Sequence, residues 1–281
     1  MTSQYINLNG AYCLVDCGEG TQYQIQKYKV KASKIDYIFI SHLHGDHYYG
    51  LPGLLSSFNL LGRTRPLYII APSALREVML SINRASGIIN SYKIHFIDTN
   101  PNQFEKVFEN ERFSVSTIPL VHRIECTGFL FEEAGGERKL LIDKLPKNFP
   151  YQYMKELKKG KSINWEGKTY ASEEFTTAAP KPNSYAYCSD TAYTESILPY
   201  IQNVDLLYHE ATFSAQDLQR AAKTKHSTAE QAATIASKAK AKKLLLGHFS
   251  IRYKELDVLL NEAKQVFDET YIAKEGEIFT I

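Results

Sequence analysis

Residues 42–47 read His-Leu-His-Gly-Asp-His, and they carry the clearest chemical signal in the chain. The hexamer supplies three imidazoles and one carboxylate, which are side chains that bind zinc-class ions. Side chains alternate along an extended segment, so His42 and His44 point the same way and can share one ion. The glycine that follows permits a sharp turn, which lets Asp46 and His47 face a second ion nearby. Two adjacent ions form a centre for phosphodiester or acyl hydrolysis.

The hexamer leaves both ions incompletely coordinated. Zinc prefers four ligands, one of them a water in a catalytic site, so each ion needs about two more donors. The candidate donors are His122, Asp190 and His248, each at or just past the end of a predicted strand. His42 and His209 also lie at, or just past, the end of a predicted strand. Strand ends are where α/β folds bring distant residues together, and Asp190 can bridge two cations through its two oxygens.

Hydrolysis also needs groups that move protons. Asp46 is close enough to the ions to orient an attacking water or to take its proton. The leaving oxygen needs a proton, and His226 is the candidate donor, with Glu210 as the carboxylate that orients its ring. His226 precedes Ser227-Thr228-Ala229-Glu230, which predicts a capping box at the start of a helix that runs through Lys240. The alternative is that His226 merely supports this cap.

Strand-like runs alternate with amphipathic helical runs along the chain, which indicates an α/β fold. The predicted strands are Ile35–Ile40, Leu67–Ile70, Phe113–Pro119, Tyr185–Cys188, Asp205–Tyr208 and Lys243–Leu246. The predicted helices are Ser73–Asn83, Glu195–Gln202, Ala215–Lys223, Thr228–Lys240 and Lys254–Val266.

The composition is that of an ordinary globular protein. The 281 residues are 44% hydrophobic and 23% charged, with a net charge of +2, so any contact with nucleic acid must come from a local patch. The four cysteines are scattered, which favours reduced thiols over a disulfide framework. No apolar run approaches the length of a membrane span. These features predict a soluble, cytoplasmic protein without membrane contact.

The segment 145–180 differs from the rest of the chain. Lysines alternate there with aromatic residues, and prolines and glycines interrupt any periodicity. The basic residues singled out as contacts to a nucleic acid are Lys155, Lys158, Lys159 and Lys161. Cations for phosphates and rings for bases would suit RNA, whereas the alternative is a solvated surface arm whose rings pack against its own body. Composition alone does not decide between the two.

Taken together, the motifs closely resemble those of the ribonuclease Z family of the metallo-β-lactamase superfamily. They run in family order over nearly the whole chain: Asp16-Cys17-Gly18-Glu19-Gly20-Thr21-Gln22, Ser41-His42-Leu43-His44-Gly45-Asp46-His47, Gly50-Leu51-Pro52-Gly53-Leu54, Pro119-Leu120-Val121-His122-Arg123, Cys188-Ser189-Asp190-Thr191, His209-Glu210-Ala211-Thr212, His226-Ser227-Thr228 and Gly247-His248-Phe249-Ser250. The hexamer belongs to the wider superfamily. The His-Glu-Ala-Thr and His-Ser-Thr segments are specific to the nuclease branch.

The resemblance implies a four-layer αβ/βα metallo-β-lactamase fold in one hydrolase domain, with a flexible inserted arm at about 145–180 that grips the tRNA. It implies two zinc ions per chain, a homodimer and precursor tRNA as substrate. The cleavage would remove the 3′ trailer and leave a 3′-hydroxyl on the tRNA. Family members usually have a first β-strand before the segment matching Thr2-Ser3-Gln4, and we expect that strand to be missing here.

The resemblance also assigns the ligands. One zinc would be held by His42, His44, His122 and Asp190, and the other by Asp46, His47, Asp190 and His248. Asp46 would accept a proton, and the pair Glu210 and His226 would assist the leaving group.

Three other functions compete with this prediction. A metallo-β-lactamase-fold phosphodiesterase or thioesterase acting on a small substrate is the main one, and the basic arm and His226 argue against it. A redox di-iron protein usually needs a carboxylate where this chain has His44, and imidazole-rich ligation favours zinc. A non-catalytic RNA-binding module would retain its function without His42.

Overall fold

The structure is a computed structural model that describes residues 1–179 and 181–281. The chain divides into two compact units, Met1–Glu132 with Ser184–Ile281, and Glu133–Asn183. The predicted arm falls within the second unit, except that its last residue, Pro180, lies outside the described residues. Among the described residues, no helix combines the length and the apolar character that crossing a bilayer requires.

The elements follow one another in mixed order. The strands are β1 (Gln4–Leu8), β2 (Ala11–Val15), β3 (Ile35–Phe39), β4 (Leu67–Ala71), β5 (Ile94–Asp98), β6 (Lys106–Glu109), β7 (Phe113–Pro119), β8 (Thr127–Glu133), β9 (Lys139–Leu140), β10 (Ile163–Trp165), β11 (Lys168–Tyr170), β12 (Thr176–Thr177), β13 (Ser184–Cys188), β14 (Leu206–Glu210), β15 (Lys243–Gly247) and β16 (Thr270–Ile272). The α-helices are α1 (Thr21–Lys27), α2 (Gly45–Tyr48), α3 (Leu51–Leu60), α4 (Ala74–Ser86), α5 (Tyr151–Lys158), α6 (Ser172–Phe175), α7 (Leu218–Thr224), α8 (Ala229–Ala239) and α9 (Asp257–Lys264).

Two mixed sheets organise the first unit. One has the strand order β1-β2-β3-β4-β5, in which β1 and β2 are antiparallel and the remaining pairs are parallel. The other has the order β16-β15-β14-β13-β8-β7-β6. Its strands β13 to β16 are parallel, and β8 pairs antiparallel with β13. The expected α/β architecture is therefore confirmed.

Alternating side chains separate the two faces of each sheet. In the first sheet, Leu14 and Ile38 pack with Leu54 of α3, whereas their neighbours Val15 and Phe39 pack against strands of the second sheet. This is the two-residue period of a strand that is buried on both faces.

The far face of the second sheet is covered in the same way. Leu207 and Leu246 pack there against the alanine-rich helix α8 and against α9. The layers are therefore helix, sheet, sheet and helix.

Most predicted elements are found within a few residues of their expected bounds, but two predicted helices differ. Glu195–Gln202 is a 3-10 helix over Glu195–Tyr200, because Pro199 has no backbone N–H to continue an α-helix. Ala215–Lys223 begins as a 3-10 turn at Ala215–Asp217 and becomes α7 only at Leu218.

Helix α8 carries a capping box, but not the predicted one. Thr228 is the N-cap, and its hydroxyl accepts from the backbone N–H of Gln231 at 3.2 Å. The Gln231 side chain returns the bond to the backbone of Thr228 at 3.0 Å. The predicted pair of Ser227 and Glu230 was wrong by one residue, because the N–H of Ser227 donates to Glu210 instead.

The second unit has a small core of its own. It is formed by Leu145, Phe149, Leu157, Tyr170 and Phe175. The rings of Phe149 and Tyr170 lie 4.7 Å apart between centroids. These rings are thus used for packing within the unit, as the second of the two interpretations of this segment expected.

Candidate metal centre

The seven predicted metal ligands come together at strand ends of the two sheets in the first unit. The segment after β3 brings His42 and His44, and α2 then begins at Gly45 and carries Asp46 and His47 in its only turn. His122 follows β7, Asp190 follows β13 and His248 follows β15 directly. The predicted extended segment and the turn at the glycine are both present, since His44 has an extended backbone.

Tight packing of two glycines holds the hexamer in place. A Cβ atom on Gly18 would lie 2.2 Å from the carbonyl oxygen of Asp46, and one on Gly50 would lie 2.2 Å from the carbonyl oxygen of Gly18. The N–H of Cys17 donates to the carbonyl of His47 at 2.7 Å. The glycines of the first and third motifs thus let three backbone segments approach each other closely.

The first ligand cluster comprises His42, His44, His122 and Asp190. Nδ1 of His44 lies 3.0 Å from Nε2 of His42 and 3.2 Å from Nε2 of His122. Oδ2 of Asp190 is 3.6 Å from Nε2 of both His42 and His122. Three ring nitrogens that converge on one carboxylate oxygen are the donor set of a tetrahedral zinc site.

The second ligand cluster comprises Asp46, His47 and His248, with the other oxygen of Asp190. Oδ1 of Asp190 lies 3.2 Å from Nε2 of His47 and 3.1 Å from Nε2 of His248. Oδ2 of Asp46 is 3.6 Å from the first of these nitrogens and 3.5 Å from the second. The two oxygens of Asp190 therefore face one cluster each.

The protonation of the imidazoles differs between the clusters. Burial lowers the pKa of His42 to about 3 and also lowers the pKa values of His44 and His122. These rings are neutral at neutral pH, as metal ligands must be. Burial acts in the same direction on His47, but Asp16 and Asp190 outweigh it and raise its pKa to about 10.

The buried carboxylates explain this difference. Burial opposes the charge on His248 too, yet Asp190 and Asp46 raise its pKa. Burial likewise disfavours the Asp190 carboxylate, but His248 and His47 hold its pKa well below the usual range. Without a metal ion, a proton on His47 offsets part of the buried negative charge, and a bound dication would take over that role.

The outer ring nitrogens of the ligands have partners that aim the inner nitrogens at the clusters. Nδ1 of His42 donates to Oγ of Ser41 at 3.0 Å, and Nδ1 of His248 donates to Oγ1 of Thr212 at 3.0 Å. Nδ1 of His122 donates to the carbonyl of Lys225 at 3.0 Å. Such outer bonds fix the tautomer of a metal-binding histidine.

Asp16 is a residue of the site that the sequence motifs did not predict. This fully buried carboxylate accepts from Nδ1 of His47 at 2.7 Å, from the hydroxyl of Tyr187 at 2.6 Å and from the hydroxyl of Ser41 at 2.9 Å. It therefore orients His47 from outside the cluster. Its position could have suggested this role, because Asp16 directly follows strand β2 and precedes a glycine-rich turn.

Left-handed backbone conformations mark three of these residues. The φ angles are 56° at Asp16, 59° at Asp190 and 58° at His248. Residues with a Cβ atom adopt this region at a cost, and such strain concentrates at functional sites.

The pair Glu210 and His226 adjoins the second cluster. Nδ1 of His226 donates to Oε1 of the buried Glu210 at 2.9 Å. The carboxylate also accepts from the N–H of Thr191 at 2.6 Å, from the hydroxyl of Thr212 at 2.6 Å and from the N–H of Ser227 at 3.0 Å. A ring nitrogen of His226 lies within 4.8 Å of ligand atoms of Asp190 and His248. The imidazole is thus held beside the cluster by a carboxylate that is fixed on all sides.

Two histidines lie apart from these groups. His209 is a buried residue within β14, and its Nδ1 bonds to the carbonyl of Glu210 at 2.8 Å. His95 lies in β5, where its ring stacks on Tyr68 at 4.8 Å.

The four lysines predicted to contact RNA belong to the second unit, and most of them are paired there. Lys159 and Lys161 both form ion pairs with Glu156, at 3.0 Å and 2.6 Å, and Lys158 pairs with Glu137. Nζ of Lys155 lies 4.9 Å from the ring centroid of Tyr151, a side chain that is 72% exposed.

Comparison with known proteins identifies relatives of nearly the full length. Ribonuclease Z of Bacteroides fragilis is 42% identical over 277 residues, which cover 98% of this chain and 91% of the relative. A family model described as "Anti-Pycsar protein Apyc1" matches residues 2–143, so the first half of the chain belongs to that family too.

Solved structures agree with this result. The short form of human tRNase Z has a TM-score of 0.70 and 25% identity, and the match covers all of this chain and 92% of that one. The metallo-β-lactamase fold protein YhfI from Bacillus subtilis has a TM-score of 0.67 and 22% identity, and the match covers 98% of this chain and 89% of that one. The fold is the metallo-β-lactamase fold, and at this identity and coverage the chain belongs to the ribonuclease Z family.

Proposed function

We propose that this protein is a zinc-dependent endoribonuclease that removes the 3′ trailer from precursor tRNA and leaves a 3′-hydroxyl on the tRNA. Membership of the ribonuclease Z family and the buried cluster of histidines and aspartates both support a metal-dependent hydrolase. The observation that carries the proposal is Asp190. Each of its oxygens faces a separate set of imidazoles, as expected for a carboxylate that bridges two ions.

The donor sets support two zinc ions per chain. His42, His44, His122 and Oδ2 of Asp190 would hold one, while Asp46, His47, His248 and Oδ1 of Asp190 would hold the other. Imidazole and carboxylate donors in sets of four suit zinc. Bound zinc would activate a water and polarise the oxygens of the scissile phosphate.

The protein residues would then handle the protons. In the metal-free protein His248 lowers the pKa of the Asp46 carboxyl, so this group is ionised at neutral pH, and beside the two ions it would orient the attacking water and accept its proton. On the leaving side, Nδ1 of His226 is committed to Glu210, which leaves Nε2 to donate a proton to the 3′ oxygen of the tRNA. The bond between phosphorus and this 3′ oxygen would break, and the trailer would be released with a 5′-phosphate.

The arm is proposed as the contact to the tRNA outside the cleavage site. Lys155, Lys158, Lys159 and Lys161 are its candidate phosphate ligands, since lysines on a surface attract the RNA backbone. Three of them are paired with glutamates, and these exposed pairs are weak enough to be exchanged for phosphate.

The remaining proposals rest on the family resemblance. They are a homodimer, a cytoplasmic location and a single hydrolase domain with the arm inserted. Each of these stays a prediction.

The decisive experiment is to incubate the zinc-loaded protein with a 3′-extended precursor tRNA and to map the cut. We expect a single cut at the 3′ side of the acceptor end, with a 3′-hydroxyl on the tRNA fragment. His42→Ala should reduce turnover by orders of magnitude with little change in tRNA affinity, whereas His95→Gln, a histidine outside the clusters, should retain activity. Cleavage of bis(p-nitrophenyl) phosphate without any cleavage of precursor tRNA would favour the small-substrate hydrolase instead.

A further inference from the structure

Lys225 joins the two halves of the candidate site. It is the C-cap residue of α7, and the next residue along the chain is His226. Nδ1 of His122 donates to the backbone carbonyl of Lys225 at 3.0 Å, and Nζ of Lys225 donates back to the carbonyl of His122 at 3.1 Å. Two hydrogen bonds in opposite directions thus clamp one residue pair that is 103 positions apart in the chain.

The backbone of Lys225 has an unfavourable conformation for a lysine. Its φ and ψ angles are 56° and 50°, in the left-handed region where helix C-caps usually carry glycine. The helix end itself needs no side chain there, since the backbone N–H of Lys225 bonds to the carbonyls of Ala221 and Ala222. The use of the lysine side chain lies in its bond to His122.

The two hydrogen bonds between Lys225 and His122 affect both the candidate ligand His122 and the candidate proton donor His226. The carbonyl of Lys225 holds the Nδ1 proton of His122, so Nε2 is left unprotonated and faces His44 and Asp190. The peptide unit that supplies this carbonyl is the one that links Lys225 to His226. Any movement of the His122 loop therefore moves the backbone from which His226 projects, and the rings of His122 and His226 lie 5.0 Å apart between centroids.

We propose that Lys225 is a positioning residue that couples metal binding at His122 to the placement of His226. This inference rests on the proposed function, because it takes His122 as a zinc ligand and His226 as the proton donor. Lys225 acts through its neighbours and makes no contact of its own with the reacting atoms.

The chain provides a matched control for the backbone conformation. Lys240 is the C-cap of α8 and has nearly the same angles, with φ at 53° and ψ at 39°. Glycine at either position relieves the same strain, but only at 225 does it remove a bond to a candidate ligand. Lys240→Gly should therefore raise the melting temperature of the metal-free protein, and Lys225→Gly should raise it less, because it also loses the bond to the His122 carbonyl.

Metal binding should separate the two variants. In a zinc titration of the metal-free protein against a competing chelator dye, we expect Lys225→Gly to weaken the affinity by at most about tenfold, because the backbone carbonyl that accepts from the His122 ring remains and only the bond that holds the His122 backbone is lost. Lys240→Gly should bind zinc as the wild type does. Lys225→Arg should restore much of the affinity, because its guanidinium can reach the same carbonyl. Unchanged zinc affinity in Lys225→Gly would overturn the proposal.

Kinetics distinguish positioning from a direct contact with RNA. Positioning predicts that Lys225→Gly with saturating zinc lowers kcat on precursor tRNA with KM little changed. It should lower kcat on bis(p-nitrophenyl) phosphate much less, because p-nitrophenolate leaves without a proton from His226. If KM for precursor tRNA rises and kcat on this substrate is normal, Lys225 binds a phosphate of the RNA and the coupling role is refuted. If the zinc-loaded wild type does not cleave precursor tRNA, the proposed function is refuted instead. The zinc titration does not depend on that function and tests the positioning role separately.

Discussion

The substitution Glu210→Gln tests the acid side of the mechanism. The wild-type carboxylate accepts four hydrogen bonds, two at each oxygen. A glutamine side chain has one oxygen and one NH₂ group, so it can accept both hydrogen bonds at only one of the two positions that the carboxylate oxygens occupy. If its oxygen stays with Thr191 and His226, its NH₂ group faces the N–H of Ser227, and that donor loses its partner. If the amide is turned round, the N–H of Thr191 loses its partner instead.

This geometry sets the size of the expected effect on stability. One buried N–H without an acceptor costs about 1–3 kcal/mol, since no water reaches the fully buried residue at 210. A loss of about 2 kcal/mol lowers the melting temperature by roughly 4–8 °C in a protein of this size. The same substitution at the exposed Glu195, which pairs only with other surface groups, should leave the melting temperature and kcat unchanged.

The effect on catalysis should depend on the leaving group. The amide carries no negative charge, so the ring of His226 loses the charged acceptor that holds its Nδ1–H and orients its Nε2. General acid catalysis contributes roughly 10²–10⁴-fold, and we expect kcat for precursor tRNA to fall by at least about 100-fold. Loss of p-nitrophenolate needs no proton, so kcat for bis(p-nitrophenyl) phosphate should fall by less than about tenfold.

Single-turnover cleavage of precursor tRNA and steady-state hydrolysis of the small substrate measure this difference. His226→Ala should show the same pattern. Equal losses on the two substrates, or full activity of Glu210→Gln on precursor tRNA, would refute the assignment of this pair to the leaving group.

Four further outcomes follow from the site and the arm. Zinc at about 100 times its Kd should stabilise the protein by about 2.7 kcal/mol per site, and calorimetry with a chelator should show the corresponding loss in melting temperature. Asp16→Asn should weaken zinc binding by about 10–100-fold in a dye competition assay, because it disturbs the acceptor of His47. The pKa of His47, raised to about 10, means that zinc must displace a proton from this ring at neutral pH, so the affinity should rise with pH through this range, and titration calorimetry in several buffers should detect the release of protons. Replacing Lys155 and Lys161 with alanine should weaken binding of precursor tRNA and reduce the slope of log affinity against log salt by roughly 0.8 per lysine, with normal turnover of the small phosphodiester as the control.

The sequence by itself determined the chemistry of the site. The spacing within residues 42–47 fixes an extended pair of histidines followed by a helical turn, because side-chain direction follows from local backbone geometry. The donors at 122, 190 and 248 could be found because each ends a predicted strand, and strand ends in an α/β sheet meet at one edge. The pairing of Glu210 with His226 also came from their types and places in the chain.

Only the tertiary structure decided how these groups are held. Asp16, Thr212 and Lys225 each bond the outer nitrogen of a ligand histidine, and no local pattern specifies contacts that join residues so far apart in sequence. The cap of α8 shifted to Thr228 because Glu210, a distant residue, claims the N–H of Ser227. In the arm, composition described the lysines and rings correctly. Only folding could show that the rings form a core and that glutamates pair with Lys158, Lys159 and Lys161, since both depend on which side chains the chain brings together.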